Sequence, residues 1–289
     1  MQPNLFHIHS TTQGSGSPVI LIHGMGASCF DWENLSPELA SGGFQAHALD
    51  LPGHGHSLKP DNPAFYTSEA MYALLESWID SQGFDQPLVV IGHSLGGYLS
   101  LRYALRHPER VRAQVLIDPF YSPQQLSPLV RLLQQRPLLG EKALRIVPEW
   151  VVHRLMGWDA ATATNFSPAA RQQIAADLKR CSPHIVYIPR TITNLTGELR
   201  RLDTPSLVIW GEKDLTLDPD SFPELVTNLP RSAGKAVPGC GHQPHIGKPA
   251  LVNRLVLDFL GDPAGFVSRS QSSALRPPAP GRSARASAR

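Results

Sequence analysis

Leu88-Val89-Val90-Ile91-Gly92-His93-Ser94-Leu95-Gly96-Gly97 is the stretch on which the reading of this chain turns. Four apolar residues end in Gly-x-Ser-x-Gly, and a helix-compatible run from Tyr98 to His107 follows. Strand, glycine-flanked serine and helix in that order describe a nucleophile elbow. The turn has to be tight, so Gly92 and Gly96 stand where a Cβ would meet the neighbouring strand or helix. Ser94 is then lifted above the sheet edge at a helix N-terminus, whose free amides and dipole favour developing negative charge. A five-residue motif is equally compatible with an ordinary Gly/Ser turn, so the rest of the chain has to decide between the two.

Upstream, Val19-Ile20-Leu21-Ile22 reads as a buried strand entering His23-Gly24-Met25-Gly26, after a turn at residues 14–18. A short edge strand is expected over residues 4–9. A helix over 32–40 stops at Gly42-Gly43, and Gln45 to Leu49 forms a second strand ending at Asp50. Leu51-Pro52-Gly53-His54-Gly55-His56-Ser57 is a loop, and Met71, Leu74, Leu75, Trp78 and Ile79 give residues 67–82 helical spacing. Downstream of the elbow, Val111 to Ile117 is another strand, closing at Asp118. Apolar strands alternating with helices mean a doubly wound, mostly parallel α/β sheet covered on both faces. Ligands bind such sheets at the carboxyl ends of the strands, so His23, Asp50, Ser94 and Asp118 should share one rim.

From about 122 to 202 the apolar residues fall at helical spacing, which predicts a helical cap inserted between two sheet strands. Alternation resumes at Ser206 to Trp210, followed by Gly211-Glu212-Lys213-Asp214. A helix at about 221–229, a short strand near 235–237, Pro238-Gly239-Cys240-Gly241-His242 and a last helix over 250–260 complete a core of residues 1–121 and 203–262. Residues 263–289 are Ser, Ala, Pro and Arg with few large apolar side chains, and are expected to be disordered.

Composition narrows the function. Formal net charge is +2, but five arginines and no acid lie beyond Pro263, leaving 21 basic against 24 acidic residues before it. The body therefore has no basic footprint for nucleic acid. Cys29, Cys181 and Cys240 are far apart, with no CxxC, which fits neither a zinc knuckle nor a disulfide framework. No basic-then-apolar leader and no apolar run of about 20 residues is visible, so a cytoplasmic protein without stable membrane insertion is expected. Gly24-Met25-Gly26 with Asp50 imitates a dinucleotide fingerprint, but Cys29 stands at the third glycine position. His54-Gly55-His56 supplies two histidines, too few to close a metal site.

A serine hydroxyl needs a histidine base, itself oriented by a carboxylate. Ser94, Asp214 and His242 occur in the chain order expected on a doubly wound hydrolase sheet, each just after a strand. His245 is the rival base and Asp118 the rival acid, with Asp218 a more remote one.

The segments 19–26, Asp50-Leu51-Pro52-Gly53-His54-Gly55-His56-Ser57, 92–97, Trp210-Gly211-Glu212-Lys213-Asp214 and 239–245 resemble the successive motifs of the α/β-hydrolase superfamily. The similarity covers about residues 4–260. It implies Ser94 as nucleophile, His242 as base, Asp214 as orienting acid, and the backbone amides of Met25 and Leu95 as the oxyanion hole, with no cofactor and no metal. Asp118 occupies the position that some branches use for the acid. Gly247 stands where the family often has Glu, and Ser94 where haloalkane and epoxide branches carry Asp. The chemistry implied is a serine hydrolase acting on a small or medium apolar ester, with Trp150, Met156, Trp158 and Tyr187 as candidate walls of its pocket. Carbon–carbon hydrolysis and cofactor-free perhydrolysis use the same triad. A ligand receptor with slow turnover is the reading from another class.

Overall fold

The computed structural model describes residues 8–156 and 165–274. Seven strands form one sheet: β1 (Ser10–Gly14), β2 (Ser17–Ile22), β3 (Phe44–Leu49), β4 (Leu88–His93), β5 (Val111–Ile117), β6 (Ser206–Gly211) and β7 (Ser232–Val237). Their order is β1-β3-β2-β4-β5-β6-β7. Only β1 runs antiparallel, against β3; every other pairing is parallel. The fold is therefore the doubly wound α/β sheet that the alternation of apolar strands and helices implies.

Alternate residues of each strand feed two separate cores, because side chains along a strand point to opposite faces. Ile20, Ile22, Val90, Leu116 and Val208 pack on one face with Met71 and Leu75 of α2 (Ser68–Ser81) and with Leu99 of α3 (Leu95–Arg106). Val19, Leu21, Val89, Ile91, Val115 and Ile209 pack on the other with Trp32, Leu39 of α1 (Ser36–Ser41) and the C-terminal helices. Both faces being apolar, the strands carry no polar alternation, which is why they read as continuous runs.

Three boundaries differ from the sequence expectation. The edge strand lies at Ser10–Gly14, where Ser-Thr-Thr-Gln-Gly is mostly exposed. Ile8 and His9 carry no strand, and residues 4–7 lie outside the described residues. A polar edge has no hydrophobic signature to find. The helix expected over 32–40 is split: a 3₁₀ turn, Cys29–Trp32, is capped by Ser28, and α1 restarts at Ser36 with Pro37 in its first turn, where the missing N–H is harmless. Finally, the stretch from residue 263 does not begin disordered. Pro263–Ala274 is a helix whose N-terminal Gly265 N–H donates to Asp262 Oδ1 at 2.9 Å. Its Val267 is buried, and Phe266 meets Phe259 edge-on at 5.7 Å. Two apolar residues on one face suffice to dock an otherwise polar helix. Residues 275–289 lie outside the described residues.

Between β5 and β6 the described residues carry α4 (Pro128–Gln134), α5 (Pro137–Ile146), α6 (Glu149–Met156), α7 (Pro168–Arg180) and a 3₁₀ stretch, Pro183–Thr191. This segment is tied to the loops at the strand ends. Ser28 Oγ donates to Asp177 Oδ2 at 2.9 Å, Ser182 N–H to the Gly53 carbonyl at 2.7 Å, and Ser68 N–H to Thr191 Oγ1 at 2.7 Å.

Candidate active site

β4 ends at His93, and the chain reverses into α3 through Ser94, which has φ 51° and ψ −112°. A non-glycine residue in that region is strained, and its neighbours hold it there. Ser94 N–H donates to the Ile117 carbonyl at 3.0 Å, and its own carbonyl accepts from Phe120 N–H at 3.0 Å. The two glycines allow the close approach. A Cβ on Gly92 would lie 2.3 Å from the Gly96 carbonyl oxygen, and one on Gly96 would lie 2.0 Å from that of Ile22. Both obstacles are backbone. Gly96→Ala is therefore expected to destabilise the fold by about 3 kcal/mol, read as a fall in thermal midpoint; an unchanged midpoint would contradict the packing described.

The elbow brings together three of the expected residues. Ser94 Oγ lies 2.9 Å from His242 Nε2, and His242 Nδ1 lies 2.6 Å from Asp214 Oδ2. Asp214, whose carboxyl is inaccessible, also accepts through Oδ1 from Thr216 N–H at 2.7 Å and Leu217 N–H at 3.1 Å. Burial alone would raise its pKa, but His242 and these two amides outweigh burial and hold it below the ordinary carboxylate value. An ionised Asp214 keeps the Nδ1 hydrogen on His242, leaving Nε2 free to accept the Ser94 hydroxyl proton. Met25, Ser94 and Leu95 line one small pocket together. Leu95 is the first residue of α3, so its amide has no partner four residues back in the helix.

Asp118, the rival acid, has a different place from the one that role requires. It does not hold His242 by hydrogen bond; its Oδ1 accepts from Gly211 N–H at 3.0 Å, and its Oδ2 has no partner. It is nonetheless clustered with Asp214 and His242, with donor atoms within 4.8 Å of one another. With Ser94 it is one of two non-glycine residues at positive φ among the described residues. Burial and the Asp214 charge push its pKa well above the ordinary value. Two carboxylates cannot both ionise in so small a buried volume; Asp214, with three donors, takes the charge and Asp118 keeps the proton.

The remaining rim residues serve the framework. Asp50 is buried and accepts from Cys29 N–H and His56 N–H, each at 2.7 Å, and lies 2.9 Å from His9 Nδ1. His23 is held between the Gly24 carbonyl and Leu51 N–H, and His54 Nδ1 bonds the Pro52 carbonyl. His93 Nε2 lies 2.8 Å from the His242 carbonyl, so the residue before Ser94 grips the loop that carries His242. Burial pushes the His93 imidazole down to about 4, which keeps it a neutral donor at Nε2. His245, the rival base, is buried and stacks on Trp32 at 5.1 Å.

Asp31 was not singled out by sequence: it lies 3.7 Å from both His93 Nδ1 and His245 Nε2. An acid beside a tryptophan in a turn carries no sequence signal of that contact. Cys29, Cys181 and Cys240 are buried and unpaired, and burial pushes the first two thiols up to about 12. Of the expected pocket walls, Trp150 is 68% exposed, Tyr187 donates its hydroxyl to Glu141, Trp158 lies outside the described residues, and nothing is described of the Met156 side chain.

Residues 17–249 match the family model for the alpha/beta hydrolase fold. This chain is an α/β-hydrolase fold protein. Among curated relatives it is 27% identical over 273 residues to a 2-hydroxy-6-oxononadienedioate/2-hydroxy-6-oxononatrienedioate hydrolase of Cupriavidus pinatubonensis, covering 89% of this chain and 91% of that one. It is 26% identical over 297 residues to bifunctional epoxide hydrolase 2 of Sus scrofa, with 88% of this chain covered, and spans about half (53%) of that longer protein. Among solved structures, a thermophilic esterase from Thermogutta terrifontis superposes with a TM-score of 0.78 at 24% identity, covering 91% of this chain and 96% of that one. An identity that low speaks to the α/β-hydrolase fold alone. No helix among the described residues is long and apolar enough to cross a membrane.

Proposed function

We propose that this α/β hydrolase is a cofactor-free serine hydrolase that cleaves carboxylic esters of apolar acids through an acyl-enzyme. The observation that carries the reading is the continuous hydrogen-bonded line from Ser94 Oγ through His242 to a buried, ionised Asp214. Ser94 Oγ attacks the ester carbonyl and its proton passes to His242 Nε2. The amides of Met25 and Leu95 hold the oxyanion. As the C–O bond breaks, His242 returns the proton to the departing alcohol, and water then repeats the sequence to release the acid. The helices between β5 and β6 act as a cap that excludes bulk water from these steps. Position 94 being Ser, the epoxide-opening chemistry of the mammalian relative is disfavoured, since in that branch of the family the nucleophile is Asp.

Treatment with a p-nitrophenyl dialkyl phosphate should add one phosphoryl group per chain at Ser94, seen by intact-mass and peptide mass spectrometry. Labelling elsewhere, or none, would reject the serine mechanism. Carbon–carbon hydrolysis is the second reading, favoured by the relative that matches over 91% of its length. A vinylogous 1,5-diketone consumed much faster than any ester would select it. Perhydrolysis shares the triad and would require peroxide to compete with water for the acyl-enzyme. A receptor with slow turnover is the reading that survives if no substrate exceeds about 1 s⁻¹.

A further inference from the structure

The space around Ser94 is divided unequally. A pocket of about 50 Å³ touches Ser94 and Leu95 and runs to Thr216 and Leu217. A chamber of about 690 Å³ lies beside it, and Met25 belongs to the walls of both. We propose that the chamber holds the acyl chain and the small pocket holds the departing alcohol, so the substrate is a medium- or long-chain acyl ester of a small alcohol. The proposal rests on the serine-hydrolase reading above and adds the direction in which the ester lies.

The direction follows from proton transfer. His242 must protonate the departing oxygen, so the leaving group has to sit on the His242 side of Ser94. Thr216 and Leu217, whose amides hold the Asp214 carboxylate that holds His242, wall the small pocket. The chamber wall contains no described residue from the loops that carry Asp214 or His242. It starts instead at Met25, which it shares with the small pocket, and at Gly26, and continues past Leu178 and Ile185 to Leu144 and Val147 of the cap.

The chemistry of the wall suits a hydrocarbon. Its charged members are Arg136 and Lys179, and the Lys179 ammonium is bound to the Leu144 carbonyl, leaving its methylenes to the chamber. Leu132 and Leu139 belong to the wall yet are 57% and 59% exposed. A bound chain would take those surfaces out of water. A volume of 690 Å³ lies within the roughly 300–1,000 Å³ typical of sites that enclose a whole small ligand. The small pocket has the volume of about one or two water molecules.

The deciding experiment compares two isomeric esters, methyl octanoate and heptyl acetate, followed by acid release with the wild-type protein. Methyl octanoate should be hydrolysed with at least about 100-fold higher kcat/KM. Along the methyl ester series from acetate upward, kcat/KM should rise about three- to fourfold per methylene until the chamber is full. Ala143→Trp, which fills the chamber from α5, should move the optimum down by two or more carbons. Leu138→Trp, on the same helix at a position that is 72% exposed and outside the chamber wall, should leave the optimum unchanged.

Equal rates for the two isomers, or a preference for heptyl acetate, would overturn the assignment while leaving the serine mechanism intact. A readout independent of turnover separates the two. Decanoate should bind Ser94→Ala protein by calorimetry at least about tenfold more tightly than butanoate, and Ala143→Trp should abolish that difference. If no ester is hydrolysed but this difference is present, the ester reading falls and the chain site stands. If it is absent, the chain site falls.

Discussion

Ser94→Ala should reduce hydrolysis of methyl esters by about 10⁴- to 10⁶-fold while leaving the thermal midpoint close to that of the wild type. The size of the loss follows from what the hydroxyl does. It is the atom that bonds the substrate, and its removal also leaves His242 with nothing to deprotonate. What survives is the oxyanion hole and substrate binding, which together sustain only a residual acceleration of about 10³–10⁴ over water. The fold should tolerate the change, because the positive φ at Ser94 is imposed by its backbone hydrogen bonds to Ile117 and Phe120, and alanine makes both. Turnover retained within tenfold would show that another group attacks the substrate, and the buried thiols, with pKa values raised, are poor candidates. His242→Ala should be equally costly, and the two losses should not add.

Exchanging the two buried acids should separate their roles. Asp214→Asn is expected to lower kcat by about 10⁴-fold, since an amide in place of the carboxylate turns the His242 tautomer round and strands Nε2 as a donor facing Ser94. Asp118→Asn should change kcat by less than about fivefold. Its amide is uncharged like the protonated carboxyl it replaces, and its oxygen can still accept from Gly211 N–H. Asp118→Ala removes the bond from Gly211 N–H and should lower activity and stability together. If Asp118→Asn proved the crippling change and Asp214→Asn the mild one, the acid would be Asp118 and the assignment made here would be wrong.

The same pair gives a pH dependence of stability with a definite sign. Asp118 holds its proton in the folded protein above the pH at which an unfolded chain, with a carboxylate value near 3.8, has lost it. The native state therefore binds more protons than the unfolded state across that window. The stabilisation is complete below about pH 4 and is lost as pH rises toward the raised folded value. Relative to Asp118→Asn, the wild-type thermal midpoint should fall as pH rises above about 4, until Asp118 ionises in the fold. Parallel curves for the two proteins would mean that Asp118 is ionised in the fold.

How far the sequence reveals this depends on the kind of physical signal involved. The central strands were legible because both their faces are buried, so that Val19 to Ile22 and Leu88 to Ile91 are uninterrupted apolar runs. Ser94 and Asp214 were legible because each follows such a strand, and His242 because it follows the next parallel strand in a Gly-rich loop; the parallel sheet gathers these strand ends at one rim. β1 was not, because an exposed edge strand of Ser, Thr, Gln and Gly is held chiefly by main-chain bonds to β3. The helix Pro263–Ala274 was missed for a related reason: two apolar residues on one face do not change the composition of a polar stretch. Asp118 and Asp31 depended on distances across the fold. Nothing in the sequence near Asp118 says that it keeps its proton, since that property belongs to its proximity to Asp214.

β5 and β6 are neighbouring parallel strands paired from Gln114 with Ser206 to Ile117 with Ile209. A parallel pair of this kind can be joined by a crossover of about a dozen residues, whereas this chain uses residues 118–205. The sheet asks only that the connection leave one end of β5 and return at the other end of β6. Everything beyond that minimum lies outside the part of the chain that sets strand register. Ser94, Asp214 and His242 also lie outside it. The proposed triad thus lies outside the crossover, which supplies most of the chamber wall, while Met25 and Gly26 join that wall from the core. Lengthening, shortening or exchanging the crossover is expected to change which molecules are admitted without realigning the proposed triad.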